Sequence, residues 1–189
     1  MKFPARLIVL TLTLLLAFSV TTFAKSANQQ RSEIQELHTQ ALTTLCELSP
    51  DARNVISNAY GYATISATGS QVGLIGGAHG RGLAVNNRTG EKLYMKMESY
   101  QVGIGLGVNE YDLIFVFGTK HAWDSFISGK FKVGGAAEVA ATDGHSGGAI
   151  EGADIIAKDT WVYQFTTKGL AVGAMLKGLS IYPNRKLNS

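Results

Sequence analysis

The residues best suited to nucleophilic catalysis lie in a glycine-rich segment in the second half of the chain. Gly144-His145-Ser146-Gly147-Gly148 matches the G-x-S-x-G pattern, in which a hydrolase exposes its serine on a sharp turn between a strand and a helix. Such a hydrolase also needs an acid and a histidine after the serine, and no histidine follows Ser146. We therefore interpret the segment as a surface loop and keep a serine hydrolase using Ser146 as the weakest hypothesis.

The patterns typical of nucleotide, cofactor and metal sites are incomplete. Gly103-Ile104-Gly105 lacks the third glycine of a dinucleotide fingerprint, and Gly129-Lys130-Phe131 lacks the hydroxyl residue of a phosphate-binding loop. The four histidines show no i, i+3 or i, i+4 pairing. The single cysteine, Cys46, excludes a disulfide within the chain and a cysteine-based zinc site. We predict a non-enzymatic protein with no cofactor and no metal.

The first 24 residues have the three-part layout of a secretory signal peptide. Lys2 and Arg6 form a positive n-region, Leu7–Val20 is an apolar run, and Thr22 and Ala24 supply small residues before a cleavage site. An uncleaved anchor is the alternative, because the apolar run with its flanks is just long enough to span a bilayer. No cysteine closely follows the run, so we expect export to the periplasm or cell envelope and not a lipoprotein.

The composition is that of one compact domain. The chain has 189 residues, of which 46% are hydrophobic and 16% are charged, and this balance argues against intrinsic disorder. Its formal net charge is +3, and removal of the signal peptide leaves the chain nearly neutral. Sequence-independent nucleic-acid binding needs many basic contacts to phosphate, so we exclude nucleic acid as a partner.

The mature chain has a glycine-free region followed by a glycine-rich region, because no glycine occurs before Gly61. Before it, apolar residues recur at helical spacing. Ser32 with Gln35 predicts a capping box, and Ser49-Pro50-Asp51 predicts the start of a second helix. We therefore predict a helical pair over residues 25–60. The positions predicted to face the core are Ile34, Leu37, Ala41, Leu45, Leu48, Ala52, Val55, Ile56 and Ala59.

After the helical pair the pattern is that of strands. In Tyr100–Val108 apolar residues alternate with glycines, which predicts a strand whose glycine face lets another backbone or helix approach closely or that bends at a barrel corner. Gly76–Ala84 repeats this stripe of small residues. Asn86–Gly90 predicts a hairpin turn, and Tyr111–Phe117 is apolar on both faces, as in a central strand.

These elements predict an α+β fold. The N-terminal helical pair packs on a glycine-rich, strongly curved antiparallel β-sheet or partial barrel. We expect one domain over residues 25–189, with residues 61–189 mainly β and one short helix near 119–128. Strands joined by tight turns without βαβ alternation exclude a Rossmann architecture.

Five segments of the chain stand in an order that is similar to that of a known family. They are Ser49–Ala63, Gly76–Gly82, Tyr100–Gly107, Leu113–Phe117 and Lys168–Gly178. Together they resemble the SYLF domain, a lipid-binding family that includes yeast actin-patch proteins and many exported bacterial proteins. The resemblance implies an anionic phospholipid membrane as partner. The phosphoinositide and actin binding of eukaryotic members is not carried over, because this chain is expected to be exported.

One cluster of aromatic and basic residues could bind such a membrane. Lys120, Lys130 and Lys132 flank the short helix that carries Trp123 and Phe126. We interpret the lysines as headgroup ligands and the two rings as membrane-interface residues, which is the usual composition of such a patch. The alternative is that both rings belong to the core and the lysines are merely solvated.

A second, weaker headgroup candidate is the pair Lys92 and Lys96 on either side of Tyr94. The leading hypothesis is an exported, non-enzymatic lipid-binding domain at the envelope membrane. The alternative is a structural or protein-interaction domain of the periplasm, whose glycine-faced sheet docks a protein partner or forms a homo-oligomer.

Overall fold

The computed structural model describes residues 25–129, 132–133, 150–166, 169–170 and 178–189, and for 73–75, 101–106, 132–133 and 169–170 it describes the backbone only. The helices are α1 (Ala27–Leu48), α2 (Ala52–Asn58) and α3 (Lys120–Ile127). The strands are β1 (Gly61–Asn86), β2 (Lys92–Phe117), β3 (Lys132–Val133), β4 (Asp154–Ala157), β5 (Thr160–Thr166), β6 (Gly169–Leu170) and β7 (Leu179–Pro183). The predicted signal peptide, Lys130 and Ser146 lie outside the described residues.

The described strands form one antiparallel sheet around a long hairpin. β1 and β2 have 26 residues each and pair from Gly61 opposite Phe117 to Val85 opposite Lys92. β5 pairs with the last part of β2 and β7 with the first part, and the strand order is β3-β7-β2-β5-β4. The hairpin turn lies where Asn86–Gly90 predicts it, with Gly90 at a φ of 72°. The predicted α+β class and curved antiparallel sheet are confirmed.

The curvature brings two halves of β1 into contact with each other. A Cβ on Gly80 would lie 2.8 Å from Ile65, and a Cβ on Gly82 would overlap the carbonyl oxygen of Thr64. The stripe of small residues therefore allows the close backbone approach that the sequence predicts for it. Of the two alternatives for Tyr100–Val108, close approach is not observed at Gly107, where a Cβ would meet no atom within 4 Å.

The inner face of the sheet encloses the main core together with α3. Phe126 lies between Phe115 and Phe117, with ring centroids 5.3 and 4.7 Å away, and Trp123 meets Phe117 edge-on at 5.8 Å. Thr119 caps α3, because its hydroxyl accepts a hydrogen bond from the amide of Ala122. The helix is thereby fixed with its apolar face against β2.

α1 and α2 cover the outer face of the sheet, as predicted. Leu45 of α1 and Ile56 of α2 pack with Val116 of β2, and Ile34 packs with Leu83 near the start of α1. Each buried aliphatic side chain of this kind contributes about 2 kcal/mol by removal from water.

The helix starts differ from the sequence prediction. The capping box at α1 is formed by Ser26 and Gln29, not by Ser32 and Gln35. Both pairs fit the S-x-x-Q pattern, but residues 27–31 continue the helix, so Ser32 lies inside it. Leu48, in the last turn, is 40% exposed and does not face the core.

Candidate anion-binding site

A groove of about 690 Å³ lies beside the end of α3 and the chain that follows β7. It is lined by Lys96, Ser128, Gly129, Tyr182, Pro183, Asn184, Arg185 and Lys186. Three of these residues are basic and none is acidic. Among the described residues, no ion pair involves Lys96, Arg185 or Lys186. This arrangement, the basic groove, concentrates positive charge and is suited to an anion.

Lys96 reaches the groove because of the alternation of β2. Met95 and Met97 are buried in the main core, so Lys96 between them points to the outer face. Its neighbour across the sheet is Tyr182 of β7. The Tyr182 hydroxyl donates to Glu98 Oε1 at 2.6 Å, and this hydrogen bond, together with burial, raises the pKa of Tyr182 to about 12.

Arg185 and Lys186 lie on a turn that is fixed at both ends. Before it, the amide of Asn184 donates to the Tyr94 carbonyl at 2.8 Å. After it, the side chain of Asn188 accepts from the Tyr94 amide at 2.8 Å and donates to the Tyr94 carbonyl at 2.9 Å. The backbone of β2 thus determines where the two cations of the turn stand.

A second set of contacts ties this C-terminal segment to α1. Leu187 is 2% exposed and packs with Ile34 and Leu83. The Arg31 guanidinium donates to the Leu187 carbonyl at 2.9 Å and to the Ser189 carbonyl at 3.0 Å. The segment that carries Arg185 and Lys186 is therefore packed against the domain.

Trp123 and Phe126 require a correction. Their side chains are 2% and 0% exposed and pack in the main core. In this fold they cannot lie at headgroup depth, so the alternative interpretation, that both rings are core residues, applies. The physical reason is that Phe115 and Phe117 present a large apolar surface to which the apolar face of α3 packs.

The structure does not bring the three lysines of that cluster together as one described patch. Lys120 is exposed and forms an ion pair of 2.5 Å with Asp124 of the same helix, so its charge is partly compensated. Lys130 lies outside the described residues, and of Lys132 the backbone alone is described, paired with Ser180.

The second predicted pair has a different outcome. Lys92 and Lys96 both lie exposed on the outer face of β2, and Tyr94 between them accepts a hydrogen bond from Gln35 at 2.9 Å. Lys96 lines the basic groove, whereas Lys92 does not. Sequence reasoning missed Arg185 and Lys186, because their only local signal is a basic pair after Pro183 and Asn184.

Another cavity, of about 490 Å³, lies between α1, α2 and β1. His38 Nδ1 is 2.8 Å from Thr64 Oγ1, and the His38 ring stacks on Tyr62 with centroids 5.7 Å apart. Burial, with a smaller contribution from the charge of Lys92, lowers the pKa of His38 to about 4. Cys46 and Arg53 complete a mixed lining that does not define one ligand chemistry.

A third cavity, of about 390 Å³, combines charges of both signs. Arg81, Glu110 and Asp112 line it. The Ser66 hydroxyl donates to Asp112 Oδ1 at 2.5 Å, while burial raises the pKa of the Asp112 carboxyl.

Within the part of the chain that the structure describes, no cluster of His, Cys, Asp and Glu could hold a metal ion. None of the helices described is both long and apolar enough to cross a bilayer.

Comparisons with known proteins agree with the resemblance found in the sequence. Residues 98–189 match the family model described as Ysc84, Las17-binding protein actin regulator. Over 166 residues the chain is 28% identical to Beta cell expansion factor A of Aeromonas veronii, covering 86% of this chain and 60% of that protein. The chain therefore spans less than two thirds of that relative's length. Like the five ordered segments, these matches are consistent with similarity of the chain to the SYLF family.

Proposed function

We propose that this protein is an exported, non-enzymatic domain that binds anionic phospholipid at the cell envelope. The observation that carries the proposal is the basic groove, in which Lys96, Arg185 and Lys186 stand together without a lining carboxylate. Similarity to the SYLF family supports the lipid-binding class.

The groove has the chemistry that a phosphodiester headgroup needs. A guanidinium donates two parallel hydrogen bonds to phosphate oxygens, and an ammonium adds a compact positive charge. Each basic residue near an anionic surface contributes about 1 kcal/mol. Three of them give about 3 kcal/mol, roughly a hundredfold preference for anionic over neutral membrane at low salt. The Debye length is about 10 Å at 0.1 M salt, so we expect this preference to decrease as salt rises.

Export is proposed on the layout of the first 24 residues. Cell fractionation and the mass of the isolated protein test it. A soluble periplasmic or envelope-associated chain that begins at Lys25 is expected. A membrane-bound chain that retains Leu7–Val20 would show that the segment is an uncleaved anchor and not a cleaved signal peptide.

The central experiment is co-sedimentation with vesicles across a salt series. Protein expressed from the full-length sequence is mixed with phosphatidylcholine vesicles and with vesicles that also contain phosphatidylglycerol. Sedimentation with the second kind alone, decreasing as salt rises, is expected. Sedimentation with neither kind would overturn the proposal.

A charge-matched pair of variants tests whether the groove is the site. Neutralising the groove with Lys96→Gln, Arg185→Gln and Lys186→Gln is expected to weaken binding by about tenfold or more. The control removes the same charge from three exposed positions elsewhere, with Arg53→Gln, Arg88→Gln and Lys158→Gln. Equal losses in both would mean that net charge, and not the groove, determines binding.

A protein partner is the second candidate, because the matching family model is described as a Las17-binding protein. Sedimentation equilibrium without lipid tests the simplest form of it, a homo-oligomer. A monomer over the concentration range used for the vesicle experiment is the result expected from the lipid proposal.

A further inference from the structure

We propose that the middle part of the long hairpin inserts apolar side chains into the outer layer of the bilayer while the basic groove holds headgroups. This part, the ribbon, consists of residues 69–78 of β1 and 99–109 of β2. The inference rests on the proposed lipid-binding function and adds to it the element that enters the membrane.

The exposed large apolar side chains of the described residues are concentrated on the ribbon. Val72 is 73% exposed, Tyr100 is 81% exposed and Val108 is 69% exposed. Outside the ribbon, Leu48 is the one other exposed large apolar side chain of the described part, and its exposed fraction is only 40%. Scattered exposed apolar residues need no explanation, but a local concentration is typical of an interaction surface.

The composition of the ribbon points to an apolar partner. Neither of its two segments contains Asp, Glu, Lys, Arg or His, and the charged residues resume directly at Glu98 and Glu110. Exposed strands in soluble proteins usually carry charges that prevent unwanted association. Because both paired segments lack charged side chains, the ribbon can leave water without the energetic cost of desolvating a charge.

The backbone pairing of the ribbon makes shallow insertion feasible. Ser70 lies opposite Val108, and Val72 lies opposite Leu106. Val72 and Val108 therefore share one face of the paired strands. Pairing satisfies the backbone groups that face the other strand. The groups on the outer edges need water or headgroups, so the insertion is limited to side chains at the surface of the bilayer.

Position relative to the basic groove favours lipid over another protein surface. Lys96, Glu98 and Tyr100 are exposed, whereas Met97 and Ser99 between them are buried, so Tyr100 and Lys96 stand on the same face of β2. Four residues of strand separate them by about 13 Å. Tyrosine at the edge of an apolar element and a basic residue nearby is the usual arrangement at a membrane–water interface.

A site-specific fluorescent label distinguishes insertion from mere adsorption. An environment-sensitive dye is attached to Val72→Cys in a Cys46→Ser background, and the control carries it at Arg88→Cys in the hairpin turn. Phosphatidylcholine–phosphatidylglycerol vesicles with brominated acyl chains are added, and sedimentation is measured in the same samples. We expect a blue shift and quenching for the label at residue 72 and neither for the label at residue 88.

The outcomes separate this inference from the proposed function. Sedimentation without quenching at residue 72 would overturn insertion and leave lipid binding intact, whereas loss of sedimentation of the unlabelled protein would overturn both. A blue shift that rises with protein concentration in the absence of lipid would assign the ribbon to contacts between copies of the chain and overturn insertion.

Unlabelled variants give a second, independent measurement. Val72→Ser with Val108→Ser is expected to weaken vesicle binding by about tenfold, because less apolar surface leaves water. Leu48→Ser is the matched control, since Leu48 is exposed but lies on α1 outside the ribbon. Unchanged binding of the double variant, with its fold intact by circular dichroism, would contradict insertion.

Discussion

The carbonyl oxygen of Thr64 lies in the space that a side chain at Gly82 would occupy. These residues belong to opposite halves of the same strand, β1, which are brought together by the curvature of the hairpin. The absence of a Cβ at residue 82 is therefore a condition for closing the sheet around the main core.

Replacement of Gly82 tests this relationship. Gly82→Ala is expected to lower the free energy of unfolding by about 3 kcal/mol or more, because the new methyl group meets backbone that cannot rotate away. Urea denaturation measures the change. Gly69→Ala is the control, since a Cβ there would lie 3.6 Å or more from its neighbours, an ordinary contact. A Gly82→Ala variant as stable as the control would contradict the close approach.

Local patterns predicted the elements of this fold better than their boundaries. The turn at Asn86–Gly90, the cap at Thr119 and the central position of Tyr111–Phe117 follow from interactions between neighbouring residues, which the sequence displays directly. The start of α1 was misplaced because two S-x-x-Q patterns compete, and the sequence around Ser32 does not show that the helix extends back to Ala27.

The site was harder to predict than the fold, because it is assembled over long distances in the chain. Lys96 was identified, but Arg185 and Lys186 join it only because β7 pairs with the first part of β2. For Trp123, local composition left open both a membrane interface and the core. An aromatic residue beside lysines has the same local pattern whether it faces lipid or core, and only the position of Phe117 decides between them.

Phe126 offers a test of the corrected assignment. Phe126→Ala is expected to lower the free energy of unfolding by about 3–5 kcal/mol, as for other buried aromatic residues. Phe126→Leu keeps most of the volume and is expected to fold with a smaller loss. Vesicle binding by folded Phe126→Leu should equal that of the wild type. A folded Phe126→Leu protein that no longer sediments with anionic vesicles would restore the interface interpretation.

His38 is expected to make stability depend on pH. Its pKa is lowered to about 4 in the folded state by burial and by Lys92, whereas the unfolded chain has the ordinary value near 6.5. The unfolded state therefore binds a proton first as pH falls. Stability from this group is complete above about pH 6.5, decreases between pH 6.5 and 4, and changes no further below that.

This effect lowers the free energy of unfolding by about 2 kcal/mol. A pKa shift of this size would have a larger effect in a fully buried ring, but part of the His38 ring is in contact with water. Urea denaturation from pH 7 to pH 4 measures it, and the proton spectrum of the His38 ring measures the titration directly. Lys92→Gln removes the nearby charge and is expected to raise the pKa of His38. Titration of His38 near pH 6.5 in the folded protein would show that the prediction is wrong.

Asn188 is expected to act as a positioning residue for the basic groove. Its side chain joins the turn that carries Arg185 and Lys186 to both backbone groups of Tyr94. Asn188→Ala removes two hydrogen bonds, which together contribute about 1–3 kcal/mol to the order of that segment. We expect faster amide hydrogen exchange over residues 184–188, with exchange in the main core unchanged, and weaker binding to phosphatidylglycerol vesicles.

The control is a variant that loses a hydrogen bond elsewhere in the protein. It shows whether weaker binding comes from the position of the cations or from a general loss of hydrogen bonding. Asn58→Ala removes a bond from the Asn58 side chain to the Asn54 carbonyl within α2, which is remote in sequence from every lining residue of the groove. Both variants keep the net charge, so an effect of Asn188→Ala on binding must come from the placement of Arg185 and Lys186. If the segment exchanges faster but vesicle binding is unchanged, the two cations bind lipid without a fixed geometry, and headgroup recognition in the groove is electrostatic alone.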